Sequence, residues 1–213
     1  MTQARIFLLL AVVIFAAGGL GQGAKSALAA SGPRAQAQSP SQAAQAPQAP
    51  AASQEVPAPP AAKPADVASP DAILAALYQV ISGPVGQVRD WDRFRSLFLP
   101  GARLIPTGPK KEGGGFAART FTPDEFVARD TPIFAKQAFY EKQTAQRTER
   151  YGNIAQVFST YESRHDPKEA PFARGINSFQ LFFDGTRWWI VTVFWQAETP
   201  ENPVPKEFLP AGN

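Results

Sequence analysis

The chain has 213 residues, of which 44% are hydrophobic, and it contains no cysteine and a single histidine. A disulfide framework is therefore excluded, and so is a zinc site built from nitrogen and sulfur ligands. Removing Arg5 and Lys25 with residues 1–29 reduces 21 basic side chains to 19, against 18 acidic ones. Nucleic-acid binding requires a basic face, so this near-neutral remainder predicts no nucleic-acid partner.

The first 29 residues have the organisation of a secretory signal peptide. Arg5 precedes an uninterrupted apolar run from Ile6 to Ala17, and Ala27-Leu28-Ala29 follows as a small-residue cleavage site. The run is shorter than the roughly 20 apolar residues that a spanning helix needs. We therefore predict an exported protein, periplasmic or secreted, with no stable membrane anchor after signal cleavage. An uncleaved N-terminal anchor is the alternative.

Residues 30–69 are a segment of low complexity. They include 14 Ala, 8 Pro and 6 Gln, with no aromatic residue and only Val56 and Val67 as larger aliphatic residues. Such a segment cannot bury enough apolar surface to offset the entropy of ordering it. We predict a disordered linker here, followed by one folded domain over residues 70–213. Whether the linker is a spacer through the cell envelope or a tail without a specific role stays open.

Helices are predicted first in the domain. Ser69-Pro70-Asp71 combines an N-cap residue, a proline at the first helical position and an acidic first turn, and helical apolar spacing continues to Ile81. A second helix starts at Asp90 and ends at Pro100-Gly101. The capping box of Thr122 and Glu125 predicts a third helix that runs to about residue 129 and breaks near Pro132. The predicted buried face of the second helix consists of Trp91, Phe94, Leu97 and Phe98.

Strands dominate the rest of the chain. A short strand is predicted over residues 102–105, and three more over 139–151, 154–164 and 176–183, with turns at Gly152-Asn153 and Asp184-Gly185. The last strand, RWWIVTVFW, contains three of the four tryptophans. Simple alternation gives this strand two apolar faces. One consists of Trp188, Ile190 and Phe194, and the other of Trp189, Val191, Val193 and Trp195.

Four segments of the domain carry a resemblance to a known family. They are AILAALYQVISG, DWDRFRSLFLPGARLI, FYEKQTAQRTERYGNIAQVFSTYESR and RGINSFQLFFDGTRWWIVTVFW. Together they resemble the NTF2-like superfamily, in particular its SnoaL-like branch of small bacterial domains, over about residues 69–198. The resemblance implies an α+β cone in which a strongly curved antiparallel sheet wraps around about three helices. It also implies a pocket in the mouth of the cone and an outer sheet face that often pairs with a second copy.

The two apolar faces of the tryptophan strand predict an assembly. One face would pack on the helices, and the other would be exposed in a monomer, which is unusual for a patch of that kind. We therefore predict a homodimer through the outer sheet face. The alternative is that the C-terminal segment from Glu201 to Pro210 folds back and covers this strand.

Metal, nucleophilic and phosphate-binding sites have little support. His165 lies beside Asp166 at the entrance to a predicted loop, which favours a solvated or turn-capping role. A P-loop needs its lysine after the glycines, whereas Lys110-Lys111 precede Gly113-Gly114-Gly115, and a mobile loop near the mouth of the cone is favoured. No acidic cluster has the spacing of a cation site. We predict no metal and no cofactor.

Acid–base chemistry in the cone is the one catalytic option that we retain. The resemblance implies the plan that enzymes of this superfamily share. In that plan a carboxylate or histidine carries a proton, and a Tyr, Asp or Arg stabilises a developing oxyanion. Residues of these types are Tyr78, Tyr140, Glu141, Arg147, Glu149 and Tyr161, but none falls in a recognisable catalytic motif, so the catalytic residues stay unassigned. Structural tyrosines and cross-strand ion pairs are the alternative. The candidates for lining a pocket are Tyr78, Trp91, Phe94, Tyr140, Glu141, Tyr161 and Trp188.

Two functions follow as hypotheses. The first is an exported domain that binds a small hydrophobic ligand or serves as a dimeric scaffold without catalysis. The second is a cofactor-independent lyase or isomerase acting on a small hydrophobic substrate. The second hypothesis requires at least one carboxyl group inside the cone with a raised pKa.

Overall fold

The computed structural model describes residues 58–110 and 112–211. The predicted signal peptide and most of the predicted linker lie outside the described residues. Within the described ranges, no helix is both long and apolar enough to cross a membrane.

Three helices pack on one side of a sheet. Helix α1 is Pro70–Ile81, α2 is Trp91–Ser96 and α3 is Pro123–Phe134. Ser69 and Thr122 cap α1 and α3 as predicted, and Thr122 and Glu125 form the reciprocal capping box. Asp90, predicted as the start of the second helix, is the cap of α2 instead. The predicted end of this helix at Pro100-Gly101 is wrong, because α2 ends at Ser96 and a strand begins at Phe98. The predicted break of α3 near Pro132 is wrong, because the helix continues to Phe134 with Pro132 inside it. Phe134 is buried and stacks with Trp91, which holds the last turn in place.

The folded part begins before the predicted end of the linker at residue 69. Pro64–Val67 form a short 3-10 helix, and Val67 is buried in the core. Asp66 accepts two hydrogen bonds from the Arg93 guanidinium, at 2.7 and 2.9 Å. A single valine and one ion pair thus attach a segment whose composition alone predicts disorder.

Six strands form the sheet. They are β1 Phe98–Pro109, β2 Phe116–Ala118, β3 Tyr140–Tyr151, β4 Ile154–Arg164, β5 Ala173–Phe183 and β6 Trp188–Ala197, arranged in the order β2-β1-β6-β5-β4-β3. The predicted α+β cone is confirmed. The sheet is not antiparallel throughout, because β1 runs parallel to β6. Strand β1 is also longer than the predicted strand at 102–105, and it contains a register shift between Phe98 and Arg103.

The inner face of the sheet carries the core. Alternate residues of β4 and β5 point inward, so that Val157, Phe179 and Leu181 are almost completely buried. Helix α1 adds Ile73 and Leu74, which are equally inaccessible.

The predicted alternation of β6 is wrong beyond Ile190. Strand β5 pairs Leu181 with Ile190 but Gln180 with Thr192, so that Val191 is an extra residue and the alternation shifts by one. Trp188 and Ile190 are buried, and after the bulge Val193 is buried and Trp195 packs against the core. Phe194 points outward instead and is 45% exposed. Val193 and Trp195 therefore do not belong to an exposed outer face, and the homodimer stays a prediction.

The C-terminal segment lies on the outer face of the sheet. The ring of Phe208 is 5.5 Å from the ring of Phe158, and the Thr160 hydroxyl donates to the Phe208 carbonyl. Val204 is buried in the same region. Lys206–Phe208 thus pack against β3 and β4, whereas Asn202–Pro205 lie beside the tryptophan strand and leave Phe194 exposed.

Candidate functional site: a buried polar cluster around Glu141

A cluster of polar side chains lies on the otherwise apolar inner face. It gathers residues from α1 and from three adjacent strands. Its members are Tyr78 of α1, Glu141 and Gln143 of β3, Ser159, Tyr161 and Ser163 of β4, and Asn177 of β5. Polar groups in a core are costly unless they are hydrogen-bonded, so a set of this size requires either complete internal pairing or a function.

The carboxyl group of Glu141 is the centre of the cluster. Ser163 donates a hydrogen bond of 2.8 Å to Oε2, and the Asn177 amide lies 3.3 Å from Oε1. Strand β3 is at the edge of the sheet, which leaves the residue half-buried as a whole although its carboxyl points inward. Within the described part of the chain, Glu141 has no ion-pair partner.

Burial raises the pKa of Glu141 to about 7, and the hydrogen bonds from Ser163 and Asn177 oppose this effect only in part. A carboxyl group with a pKa in this range is ionised and protonated in comparable amounts near neutral pH. It can therefore accept a proton and return it, as a general acid–base group requires. This is the carboxyl with a raised pKa that the second hypothesis demands.

The hydrogen bonds of Tyr78 have a fixed direction. The Asn177 amide nitrogen donates to Tyr78 Oη at 3.0 Å, and Ser159 donates to Gln143 Oε1 at 2.8 Å. The contact of 2.7 Å between Tyr78 Oη and Ser159 Oγ must then use the hydroxyl hydrogen of Tyr78. The single hydroxyl hydrogen of Tyr78 is thus donated to Ser159 within the protein. Burial, and next the nearby Glu141, raise its pKa.

Tyr161 has a hydroxyl group with no hydrogen bond to a described residue. Every fully buried side-chain nitrogen or oxygen in the described ranges has a partner, so this hydroxyl must reach accessible space. Burial of the residue, and next the charge on Glu141, raise the pKa of Tyr161. The phenol therefore stays protonated and has a hydrogen to donate to a bound molecule.

Gly175 makes room for this hydroxyl. A Cβ atom on Gly175 would lie 2.8 Å from the Tyr161 hydroxyl oxygen and 2.2 Å from the Gln196 carbonyl oxygen. Both distances are shorter than side chains tolerate. The glycine thus lets β6 and Tyr161 approach this point of β5 together.

The structure brings three of the seven predicted pocket residues together: Tyr78, Glu141 and Tyr161. Trp91 and Phe94 lie instead in an aromatic core cluster, where Trp91 stacks with Phe134 and Phe94 stacks with Phe126. The Trp188 ring packs against Phe183 and carries the Arg150 guanidinium at 4.9 Å. Tyr140 is half-buried beside Glu141 in the chain. Arg147 and Glu149 form an exposed ion pair of 2.8 Å within β3, rather than the cross-strand pairs weighed for them.

Sequence reasoning missed Gln143, Ser159, Ser163 and Asn177. A signal for two of them was available, since regular alternation along β4 puts Ser159 and Ser163 on the same face as Val157. Asn177 likewise alternates with Phe179 in an apolar strand. Polar residues at core positions of a strand mark an interior polar site.

The other predicted sites have ordinary surroundings. His165 stacks on Phe172 with 4.1 Å between ring centres and contacts Gln137, on the exposed side of the fold. The glycine run connects β1 to β2, where Lys110 donates a backbone hydrogen bond to Gly115. Across residues 58–110 and 112–211, no three His, Cys, Asp or Glu side chains are grouped so as to hold a metal ion.

Two grooves on the outer face flank the C-terminal segment. One has a volume of about 230 Å³ and lies between Asn202–Pro205 and the side chains of Phe158, Ile176 and Phe194. The other has a volume of about 360 Å³ and is polar, with Lys142, Glu162 and Arg174 beside Leu209. Neither is lined by the carboxyl of Glu141 or by Asn177.

Comparison with known proteins concerns the fold. No protein-family model and no curated protein matches the sequence. An NTF2-like protein of unknown function from Silicibacter pomeroyi has 15% identity, with 62% of this chain and 94% of the other covered and a TM-score of 0.41. A second NTF2-like protein of unknown function, from Pseudomonas putida, has 9% identity, coverage of 62% and 87%, and a TM-score of 0.44. The yeast UBP3-associated protein BRE5 has 13% identity, coverage of 61% and 93%, and the same TM-score. These similarities concern the fold alone. The SnoaL-like assignment stays a prediction.

Proposed function

We propose that this NTF2-like domain is a cofactor-independent lyase or isomerase that moves a proton on a small, uncharged, largely apolar substrate. Glu141 takes the proton, and the Tyr161 hydroxyl donates a hydrogen bond to the oxygen on which negative charge develops. The observation that carries the proposal is the carboxyl of Glu141, with a pKa near 7 and no ion-pair partner in the described chain. Strongly perturbed pKa values cluster at functional sites, where a carboxyl group exchanges a proton near neutral pH.

The neighbouring residues support this division of roles. Tyr78 already donates to Ser159, whereas the Tyr161 hydroxyl has its hydrogen available. No lysine or arginine belongs to the cluster, so an anionic substrate would meet the charge of Glu141 without compensation. A carbon acid next to a neutral carbonyl group matches one base and one neutral donor.

A simple probe tests the base without knowledge of the substrate. The compound 5-nitrobenzisoxazole loses one C–H proton to a carboxylate, the ring N–O bond breaks, and a coloured phenolate forms. We expect turnover whose rate rises with pH and levels off above about 7, as the ionised form of Glu141 accumulates. Glu141→Gln should lower kcat/KM by about 10²-fold or more, which is the lower range for a positioned base.

Glu149→Gln is the matched control, because it removes the same charge from an exposed residue of the same strand. This variant should retain the wild-type rate. Proton abstraction no faster than with free acetate, or equal rates for the two variants, would contradict the proposal. Tyr161→Phe then separates the two roles, since it should lower kcat while leaving the pH midpoint in place.

Binding without catalysis is the second candidate. It draws on the same inner face, where Phe179 packs edge-on to Tyr78 and gives the cluster an apolar border. A small hydrophobic molecule that copurifies and is returned unchanged would favour it. Native mass spectrometry of the purified protein detects such a molecule.

We also propose export and self-association as properties of the whole protein. The signal-like residues 1–29 support export, and Phe194 together with the half-buried Ile176 supports pairing through the outer sheet face. The native mass spectrum reports both, as a mass that begins after residue 29 and as a dimer. An intact N-terminus and a monomer at all concentrations would contradict them.

A further inference from the structure

The amide group of Asn177 lies between the two groups of the cluster whose protons matter most. Its nitrogen is 3.0 Å from Tyr78 Oη and 3.3 Å from Glu141 Oε1, and it donates to both. The side chain is buried, and it links β5 to α1 and to β3 at once. We propose that Asn177 is a positioning residue that turns its amide when Glu141 gains a proton and thereby reverses its hydrogen bond with Tyr78. This inference rests on the proposed function, because it concerns how the same base is regulated.

The direction of the hydrogen bonds shows why a turn is needed. While Glu141 is ionised, both hydrogens of the Asn177 amide are used, one on the carboxylate and one on Tyr78. A proton on Oε1 converts that oxygen from an acceptor into a donor and leaves it facing an N–H group. Rotation of the amide by half a turn places Oδ1 there instead. Oδ1 then accepts from the carboxyl group and from the Tyr78 hydroxyl.

Two observations favour Oε1 over Oε2 as the protonated oxygen. The bond from Ser163 to Oε2 is shorter, at 2.8 Å, and stabilises negative charge on that oxygen. Ser163 is 3% exposed, and Glu141 is its side chain's hydrogen-bond partner. Were Oε2 protonated, Ser163 would have to accept, and its own buried hydrogen would lose that partner.

A chain of hydrogen bonds continues from Tyr78 through further side chains. With Glu141 ionised, Tyr78 donates to Ser159, Ser159 to Gln143, Gln143 to Gln146 at 2.9 Å, and Gln146 to Asp71 at 2.6 Å. Asp71 is exposed in the first turn of α1. When Tyr78 turns its hydrogen to Asn177, its bond to Ser159 breaks and the two oxygens must move apart, because Ser159 still donates to Gln143. The protonation state of the base thus sets which group the Tyr78 hydroxyl of α1 donates to, and the bonds from Ser159 onward to Asp71 are kept.

Among the described groups that face Glu141 from the surrounding elements, only Asn177 connects the carboxyl to the Tyr78 hydroxyl by hydrogen bonds. Helix α1 contributes Tyr78, β4 contributes Tyr161 and Ser163, and β5 contributes Asn177 itself. Both tyrosines sense the charge of Glu141 through space. Only Tyr78 also shares a hydrogen bond with Asn177. Tyr161 also senses Glu198, whose pKa, despite the opposing effect of burial, is lowered by Arg174. Above the range in which Glu198 titrates, Tyr161 is therefore an internal reference for the field of Glu141.

The test follows the ring ¹³Cζ signals of Tyr78 and Tyr161 by NMR in the full-length protein while pH is varied. We expect the Tyr78 signal to follow the titration of Glu141 with an amplitude several-fold larger than that of Tyr161. In Asn177→Leu, the amplitude at Tyr78 should fall to the level of Tyr161, and the midpoint of Glu141 should rise by about one unit or more, because a donor to the carboxylate is lost. Ser163→Ala is the matched control, since it removes the other donor: the midpoint should rise while Tyr78 still follows it.

Equal amplitudes at the two tyrosines in the wild type would overturn the proposal, and so would an undiminished amplitude at Tyr78 in Asn177→Leu. If Asn177→Leu does not fold, the amplitudes at Tyr78 and Tyr161 are compared in Asn177→Ser and in the wild type instead. The experiments distinguish a failure of this proposal from a failure of the proposed function. Coupled titration without turnover of 5-nitrobenzisoxazole would refute the enzyme and support the role of Asn177, whereas turnover without coupling would do the reverse.

Discussion

Replacing Glu141 by glutamine should remove a pH dependence from the stability of the protein. The pKa of Glu141 is raised from an ordinary value of 4.5 to about 7 on folding, because its carboxyl is buried. Between these two values the folded protein binds more protons at this group than the unfolded chain does. Its contribution to the free energy of unfolding is therefore most favourable below about pH 4.5 and is lost as pH rises toward about 7.

The size of the effect follows from the shift. About 2.5 units at 1.36 kcal/mol per unit correspond to a loss of about 3 kcal/mol between acidic and weakly basic pH. Urea unfolding of the wild type and of Glu141→Gln, across about pH 5 to 8, measures the difference. The free energy of unfolding of Glu141→Gln should rise relative to that of the wild type as pH rises, and it should be the larger of the two at about pH 8. The exposed variant Glu149→Gln should retain the wild-type slope.

A parallel pH dependence in the wild type and in Glu141→Gln would refute this reasoning. It would mean that the carboxyl of Glu141 is hydrated in the folded state and ionises like an exposed glutamate. The acid–base proposal would lose its support with it.

Three further predictions concern the frame that holds the site, and urea unfolding measures each. Arg89→Met should lower the free energy of unfolding by about 2–4 kcal/mol, because the buried guanidinium donates to the carbonyls of Ile81, Gly83 and Gln87. Arg103→Met, at an exposed residue, should lower it by less than about 0.5 kcal/mol, and equal losses would contradict the role of burial. Gly175→Ala should cost about 1–3 kcal/mol through overpacking against β6, and Gly108→Ala, where a Cβ meets nothing within 4 Å, should be far milder. Thr122→Ala should cost about 1 kcal/mol by removing the cap of α3, and an unchanged midpoint would show that the capping box contributes nothing.

Local chemistry explains which parts of the fold were predictable. Helix α1 begins after Ser69 and α3 after Thr122, since capping residues act on their own helix and need no distant partner. The end of α3 was not predictable in this way. Proline disfavours a helix interior, but the stacking of Phe134 on Trp91 comes from another element and outweighs that preference.

The bulge in β6 shows the same limit for strands. A period of two is a property of a regular strand, whereas the extra residue at Val191 is fixed by pairing with β5 on one side and β1 on the other. Nothing within the sequence RWWIVTVFW marks that position. Sequence reasoning therefore assigned Val193 and Trp195 to the wrong face.

The candidate site was predictable in part for a related reason. Tyr78, Glu141 and Tyr161 were singled out by residue type, because acid–base chemistry uses carboxyl and phenol groups. Their grouping depends on the register between β3, β4 and β5, which pairs Glu141 with Ser163 and Tyr161 with Gly175. A register of this kind is decided by the folded sheet and cannot be read from one strand.

The most direct measurement is the titration of the Glu141 side-chain carboxyl by ¹³C NMR, with Glu141→Gln used to assign the signal. We predict a midpoint near 7. A midpoint between about 4 and 5, the ordinary range of a glutamate, would contradict the account and leave the polar cluster as a structural network.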